Sequence, residues 1–224
     1  CADDLARQLR ALRDAPRAEH LRRAERGRER LLAGFTWASV AQRVVAAASH
    51  WKAGYGREQA NNRVGWVSSW NTRCGIAAYS AYLTEHFDAE VQVYASRRTR
   101  EEELDKLLLP ADGEGVKRCW SSGFGDDLGE LREALFADLP RSVVIQFNYG
   151  FFEFPALSDL ILALKAAGVV VVVMFHSTCD PPELPERRLE LLTQALSECD
   201  RLLVHSPQDL NRLKAVGLVD NTML

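Results

Sequence analysis

The stretch Gly168-Val169-Val170-Val171-Val172-Val173-Met174-Phe175-His176 decides the fold. Seven consecutive apolar residues, mostly β-branched, show no polar alternation and are too short for a helix. Such a run reads as a strand buried on both faces, the mark of a parallel sheet covered by helices. Its flanks agree. Pro155 to Ala167 carries a helical pattern that Gly168 closes, and a second apolar strand, Ser142 to Phe147, precedes it. Downstream come a helix from Leu184 to Ser197, a strand from Arg201 to His205 and a helix from Pro207 to Val216 ended by Gly217. Upstream, Val64 to Ser68 is a strand, followed by a loop from Trp70 and a helix from Gly75 to about His86. Val91 to Ala95 and the shorter Lys117 to Trp120 are further strands. Arg97 to Leu109 is charged and partly helical, and Asp127 to Leu139 is a helix stopped by Pro140. Strands joined by helices give an α/β fold, a Rossmann-like parallel sheet with helices on both faces and right-handed crossovers.

The first 53 residues have a different character. Through Arg63 the chain carries 13 basic and 7 acidic residues, and beyond it 15 basic and 24 acidic. Leu5, Leu9 and Leu12, then Leu21, Leu31 and Leu32, recur at helical spacing among arginines, with Pro16 separating two helices and Gly34 ending the second. Thr36 is placed to cap a third helix from Trp37 to about Ser49. The predicted organisation is a helical segment over 1–53, a linker over 54–62, a Rossmann-like domain over 63–220 and the start of an interdomain linker at 221–224. Acidic residues interleave the arginines and no aromatic stacking platform accompanies them, so a solvated helix face is expected rather than a nucleic-acid surface. The apolar run from Gly168 to Phe175 is less than half of the roughly 20 residues that span a membrane. Five scattered cysteines without a CxxC pair argue for a reducing compartment, hence a cytoplasmic protein, and against a disulfide scaffold or zinc site. The chain starts at Cys1 within a helical pattern and is expected to be a piece of a longer protein.

In a sheet of this kind ligands bind outside the carboxyl ends of the strands. One candidate is the loop Ser69-Trp70-Asn71-Thr72-Arg73-Cys74-Gly75, which opens a helix at Gly75. Free N–H groups and the helix dipole there suit a phosphate, and glycine admits close approach. Neither GxGxxG nor a P-loop spacing is present, and Ser96-Arg97 stands where a dinucleotide fold carries an acidic ribose ligand, so a dinucleotide cofactor is disfavoured. Another candidate is His176-Ser177, projecting from the most buried strand and able to donate to a sugar hydroxyl or phosphate, or to act as acid or base. His205-Ser206 repeats the theme, with Ser206 placed as a helix cap. In Gln146-Phe147-Asn148-Tyr149-Gly150 the aromatic and amide groups suit a polyhydroxylated ligand and suit core packing equally. Cys74 as a nucleophile lacks any supporting signature. Asp126-Asp127 reads as helix capping rather than metal binding.

Together, Arg63 to Ser80, Ile145 to Gly150, Val172 to His176 and Leu202 to Ser206 resemble, in order, the N-terminal half of retaining GT-B glycosyltransferases. The segment Glu25 to Arg43, with its Phe35-Thr36-Trp37, resembles the C-terminal end of the same family, so the order is tail first, then head. The resemblance implies two such modules in tandem, with this chain across their junction. It implies transfer of a sugar from a nucleotide-sugar to a glycan or lipid-linked acceptor with retention, at the inner face of the membrane. This chain would be the acceptor-side half and inactive alone, its donor-side partner being a second C-terminal GT-B domain. His176 would contact the transferred sugar as the catalytic group. Asn71, Arg73, Cys74, Gly75, Asn148, Tyr149 and Ser177 would line the substrate site. No metal and no cofactor beyond the nucleotide-sugar co-substrate are implied. Asn148 departs from the acidic residue or histidine usual at its position. The competing class is a non-enzymatic Rossmann-like module that binds a glycan or a protein.

Overall fold

A computed structural model of the chain describes residues 6–7, 10–11, 13–34, 36–42, 63–98 and 112–224. Among these residues seven strands form one sheet: β1 Val64–Ser68, β2 Val91–Ser96, β3 Val116–Trp120, β4 Ser142–Phe147, β5 Val170–Phe175, β6 Arg201–Leu203 and β7 Thr222–Met223. Their order is β3-β2-β1-β4-β5-β6-β7, and every pairing is parallel. The helices are α1 Arg17–Gly34, α2 Gly75–Thr84, α3 Gly129–Asp138, α4 Phe154–Ala166, α5 Thr193–Glu198 and α6 Pro207–Ala215. This is the expected Rossmann-like α/β arrangement. The strand order reverses between β1 and β4, the switch point where folds of this kind bind ligands in a crevice beside the loops that follow those strands.

The all-apolar β5 takes its place next to the centre, paired with β4 over six residues and buried throughout. Residues alternate between two cores. Val67, Val143, Ile145, Val171 and Val173 face one side with residues of α3, α4, α5 and α6. Trp66, Val144, Val170 and Val172 face the other with Leu83 of α2 and Ala41. Two helix ends demand glycine. Gly168 (φ 76°) and Gly217 (φ 95°) end α4 and α6 in the left-handed region. After each, the next N–H returns into the last turn, Val169 to Leu164 O and Leu218 to Leu213 O, both at 3.0 Å. Lys165 on α4 donates to Asp200 at 2.5 Å, and the same carboxylate oxygen accepts the Val171 N–H at 2.7 Å, fixing the entry to β6.

Three elements differ from the sequence reading. The predicted helix over Leu184 to Ser197 begins only as a 3-10 turn at Leu189–Leu192 before α5. Pro181, Pro182 and Pro185 hold the preceding chain in turns, and Arg187 is pulled into the interior instead of lying on a helix surface. The strand from Arg201 stops at Leu203. Residues 221–224, read as linker, contribute β7, paired to β6 through Thr222 and Met223. Thr36 caps the turn over 37–42 as expected, its Oγ1 accepting the Ser39 N–H at 3.2 Å. Trp37 there docks on α2, 5.2 Å from the Tyr79 ring and stacked on Tyr82 at 5.7 Å. The stripe of Leu5, Leu9 and Leu12, the remainder of the third helix, the linker over 54–62 and the helical part of 99–111 lie outside the described residues.

Candidate functional site

The loop after β1 is anchored from below. Asn71 is buried with φ at 48°, a left-handed conformation that asparagine tolerates, and its Nδ2 donates to Asp112 at 3.2 Å. Asp112 also receives Arg118 Nε at 2.7 Å and Arg98 at 2.9 Å. Burial pushes the Asp112 carboxyl up. The hydrogen bonds from Arg118 and Asn71, with the charges of Arg118 and Arg98, outweigh it and hold the group below its ordinary value. Arg118 further donates to the Trp70 carbonyl at 3.0 Å and to that of Ser96. The loop is thus fixed to the ends of β2 and β3, and two guanidiniums share one carboxylate beneath it.

At the end of this loop α2 begins without a side-chain cap. Cys74, half-buried, occupies the cap position in extended conformation, and Ser69 Oγ lies 3.7 Å from its Sγ. The Cys74 side chain therefore satisfies none of the first-turn N–H groups. Gly75 follows, exposed, and a Cβ built on it would meet nothing within 4 Å. Its backbone does not require glycine either, since its φ is not among the positive ones. The small residue leaves open space above the helix N-terminus. α6 shows the contrast, because Ser206 accepts the Asp209 N–H at 3.1 Å and closes that end. Arg73 is exposed on the same loop.

His176 follows β5, half-buried. Its Nε2 lies 2.7 Å from Gln146 Oε1, and its ring meets Tyr79 of α2 edge-on at 5.1 Å and His205 at 5.2 Å. With the amide oxygen facing it, Nε2 carries the proton and Nδ1 is left as an acceptor. Burial, and then the neighbouring His205, lower the His176 pKa to about 4. The ring is thus neutral at physiological pH. Burial lowers His205 likewise, against the raising pull of Asp209. The Nε2 of Gln146, fully buried, has no hydrogen-bond partner among the described residues. An unmet buried donor costs on the order of 1–3 kcal/mol, which a ligand oxygen or a water would recover. Ser68 and Ser80, 2.8 Å apart, complete the polar lining between β1 and α2.

The structure thus brings Asn71, Arg73, Cys74 and Gly75 onto one loop and sets His176 on the α2 face of the rim. Ser177 turns locally, its Oγ 3.4 Å from the Cys179 N–H. Asn148 caps its own turn, accepting the Gly150 N–H at 2.9 Å. Tyr149 does not join His176. It lies in the core on the opposite face, where its hydroxyl donates to Asp180 at 2.7 Å. Asp126 and Asp127 act as caps, accepting the Leu128 N–H at 2.8 Å and the Gly129 N–H at 2.9 Å. Sequence reasoning named the Gln146 segment and the His205-Ser206 repeat but assigned neither residue to His176, and it did not single out Tyr79. The repeated strand-histidine-serine pattern was the available signal for His205. Gln146 had one too: it is an amide within the apolar run Val143 to Phe147.

Among the described residues no three metal-ligating side chains converge, and no helix is long and apolar enough to cross a membrane. No family model matches the chain, and no curated protein matches it.

Proposed function

We propose that this chain is the acceptor-side half of a retaining glycosyltransferase, which moves a sugar from a nucleotide-sugar to a glycan or lipid-linked acceptor. The observation that supports it is the grouping at the rim. α2 begins without a side-chain cap under an open Gly75, and one turn on its Tyr79 meets a neutral histidine that lies against the Gln146 amide. The α2 N–H groups and dipole would take the diphosphate and stabilise its negative charge as it leaves. His176 Nδ1 would accept a sugar hydroxyl while Gln146 holds the ring in that tautomer. The donor-side half of the site would come from a second Rossmann-like domain, and closure of the two would exclude water from the activated sugar. One half cannot orient both substrates, and orientation supplies much of the rate.

The test is hexose transfer from a panel of nucleotide-hexoses. The 224-residue chain alone is expected to turn over none, and the chain joined to its donor-side domain to transfer hexose, with His176→Ala lowering kcat/KM about 100-fold. Chelation of divalent metals should leave the rate unchanged. Turnover by the isolated chain would sink the half-site reading. Acceptor binding without transfer by the joined protein would favour a glycan-binding module.

A further inference from the structure

A second concave site lies on the other side of the rim, where α3 begins. It is an open groove of about 430 Å³ lined by Arg97, Ser121, Phe124, Asp126, Asp127 and Glu130, with Cys119 at its floor. Its size is that of a small-molecule site. Cys119 packs with the residues of α3, whereas His176 faces α2, so the groove is separate from the crevice described above.

Phe124 is its most unusual wall. The ring is 65% exposed, yet its loop is held at four points. Arg187, itself 2% exposed, donates to Gly123 O at 2.9 Å and to Tyr149 O, and its guanidinium carbon lies 4.0 Å from the Phe124 centroid. Gly125 N–H donates to Glu153 at 2.9 Å, and Asp126 accepts the N–H groups of Ser121 and Leu128. The Arg187 Nε has no partner among the described residues. The buried guanidinium, paired with Glu153 at 3.6 Å, thus links the loop to Tyr149 and Glu153 and holds the Phe124 ring in place while most of it stays in water.

The remaining lining selects the ligand. Three carboxylates face one guanidinium, Arg97, which pairs with Glu130, so phosphates and other anions are repelled. Burial pushes the Cys119 thiol up to about 12, so it adds no charge. Asp127 uses Oδ1 to cap Gly129 and keeps Oδ2 for another donor. An apolar ring beside hydroxyl acceptors suits a neutral sugar, which presents C–H groups on one face and O–H donors at its edge. We propose that this groove is a carbohydrate-binding subsite for a neutral hexopyranose, with Phe124 as the stacking platform and Asp127 as the hydroxyl acceptor. It goes beyond the transferase reading and does not depend on it.

The experiment is amide NMR of the 224-residue chain with methyl α-glucoside, methyl α-mannoside, methyl β-galactoside and spermidine at millimolar concentration. At least one glycoside should shift the amide signals of 121–130. Phe124→Ala should abolish those shifts while the Trp120 indole signal, from an N–H bonded to Tyr94 O at 2.9 Å, stays in place. Asp127→Asn should weaken them, and His176→Ala should leave them intact. No shift with any glycoside overturns the proposal. So does a response to spermidine alone, or glycoside shifts that survive Phe124→Ala or vanish with His176→Ala. Loss of transferase activity in the joined protein has no bearing on these signals, so the two readings fail separately.

Discussion

His176 sits where a charge is costly, between Tyr79 and His205 over a buried amide. An imidazole held at about 4 binds fewer protons than its unfolded counterpart, at 6.5, throughout the interval between those values. Stability therefore rises with pH across that window. It is fully present above about 6.5 and is lost as pH falls toward 4. His205 contributes with the same sign. Urea unfolding at pH 7 and pH 4.5 should show the wild type losing about 2 kcal/mol that His176→Asn does not lose, once the titration common to both is subtracted. Equal losses in the two proteins would mean that the ring is not desolvated as placed. The position of His176 was legible because it ends the most apolar strand. Its chemistry was not, because the tautomer depends on Gln146, 30 residues earlier in the chain and in the adjacent strand.

At the level of elements, two glycines near the site do opposite work. A Cβ on Gly65 in β1 would lie 3.1 Å from Pro140, 3.2 Å from Tyr94 and 3.3 Å from Val143, so Gly65→Ala should destabilise the chain by about 1–3 kcal/mol. Gly75 at the start of α2 has open space and an ordinary backbone. Gly75→Ala should leave stability unchanged or raise it by about 0.5 kcal/mol, while weakening nucleotide-sugar binding by the joined protein. Chemical denaturation reads the first effect and calorimetric titration the second. If Gly75→Ala binds like wild type, the open space has no ligand in it. The strands and most helices were legible because their signal is local: apolar runs, a glycine past the last turn, a proline at the first. The turn around Arg187 was not. A buried arginine is held by Tyr149 O and Gly123 O, 38 and 64 residues away. From the sequence alone the same residues, Leu184 to Ser197, look like an amphipathic helix. Thr222 and Met223 carry no strand pattern of their own, and the waiting edge of β6 makes them one.

Across the whole molecule, the N-terminal segment and the sheet domain meet through a short chain of rings. Trp37 rests on Tyr79 and Tyr82, and Tyr79 in turn touches both His176 and His205. Close by, Ala41 is fully buried and packs with Trp66, Leu83 and Val144. Among the described residues the sheet domain supplies the other buried members of that core, so it should fold without the segment but less stably. Each aromatic pair is worth about 0.5–1.5 kcal/mol beyond the area it covers, so Trp37→Ala should cost about 1–3 kcal/mol. For a chain of this size that is a Tm lower by about 2–12 °C. Removing residues 1–42 should lower Tm at least as much, because Ala41 leaves with Trp37. Both changes unpack Tyr79, so both should also alter the His176 ring environment, visible as a shift of its imidazole NMR signals. A truncated protein with wild-type Tm and unshifted histidine signals would mean that the segment only rests against α2. A shared loss of stability with shifted histidines would mean that the tail is part of the wall behind the crevice, and that a change in its docking reaches His176 through a single tyrosine.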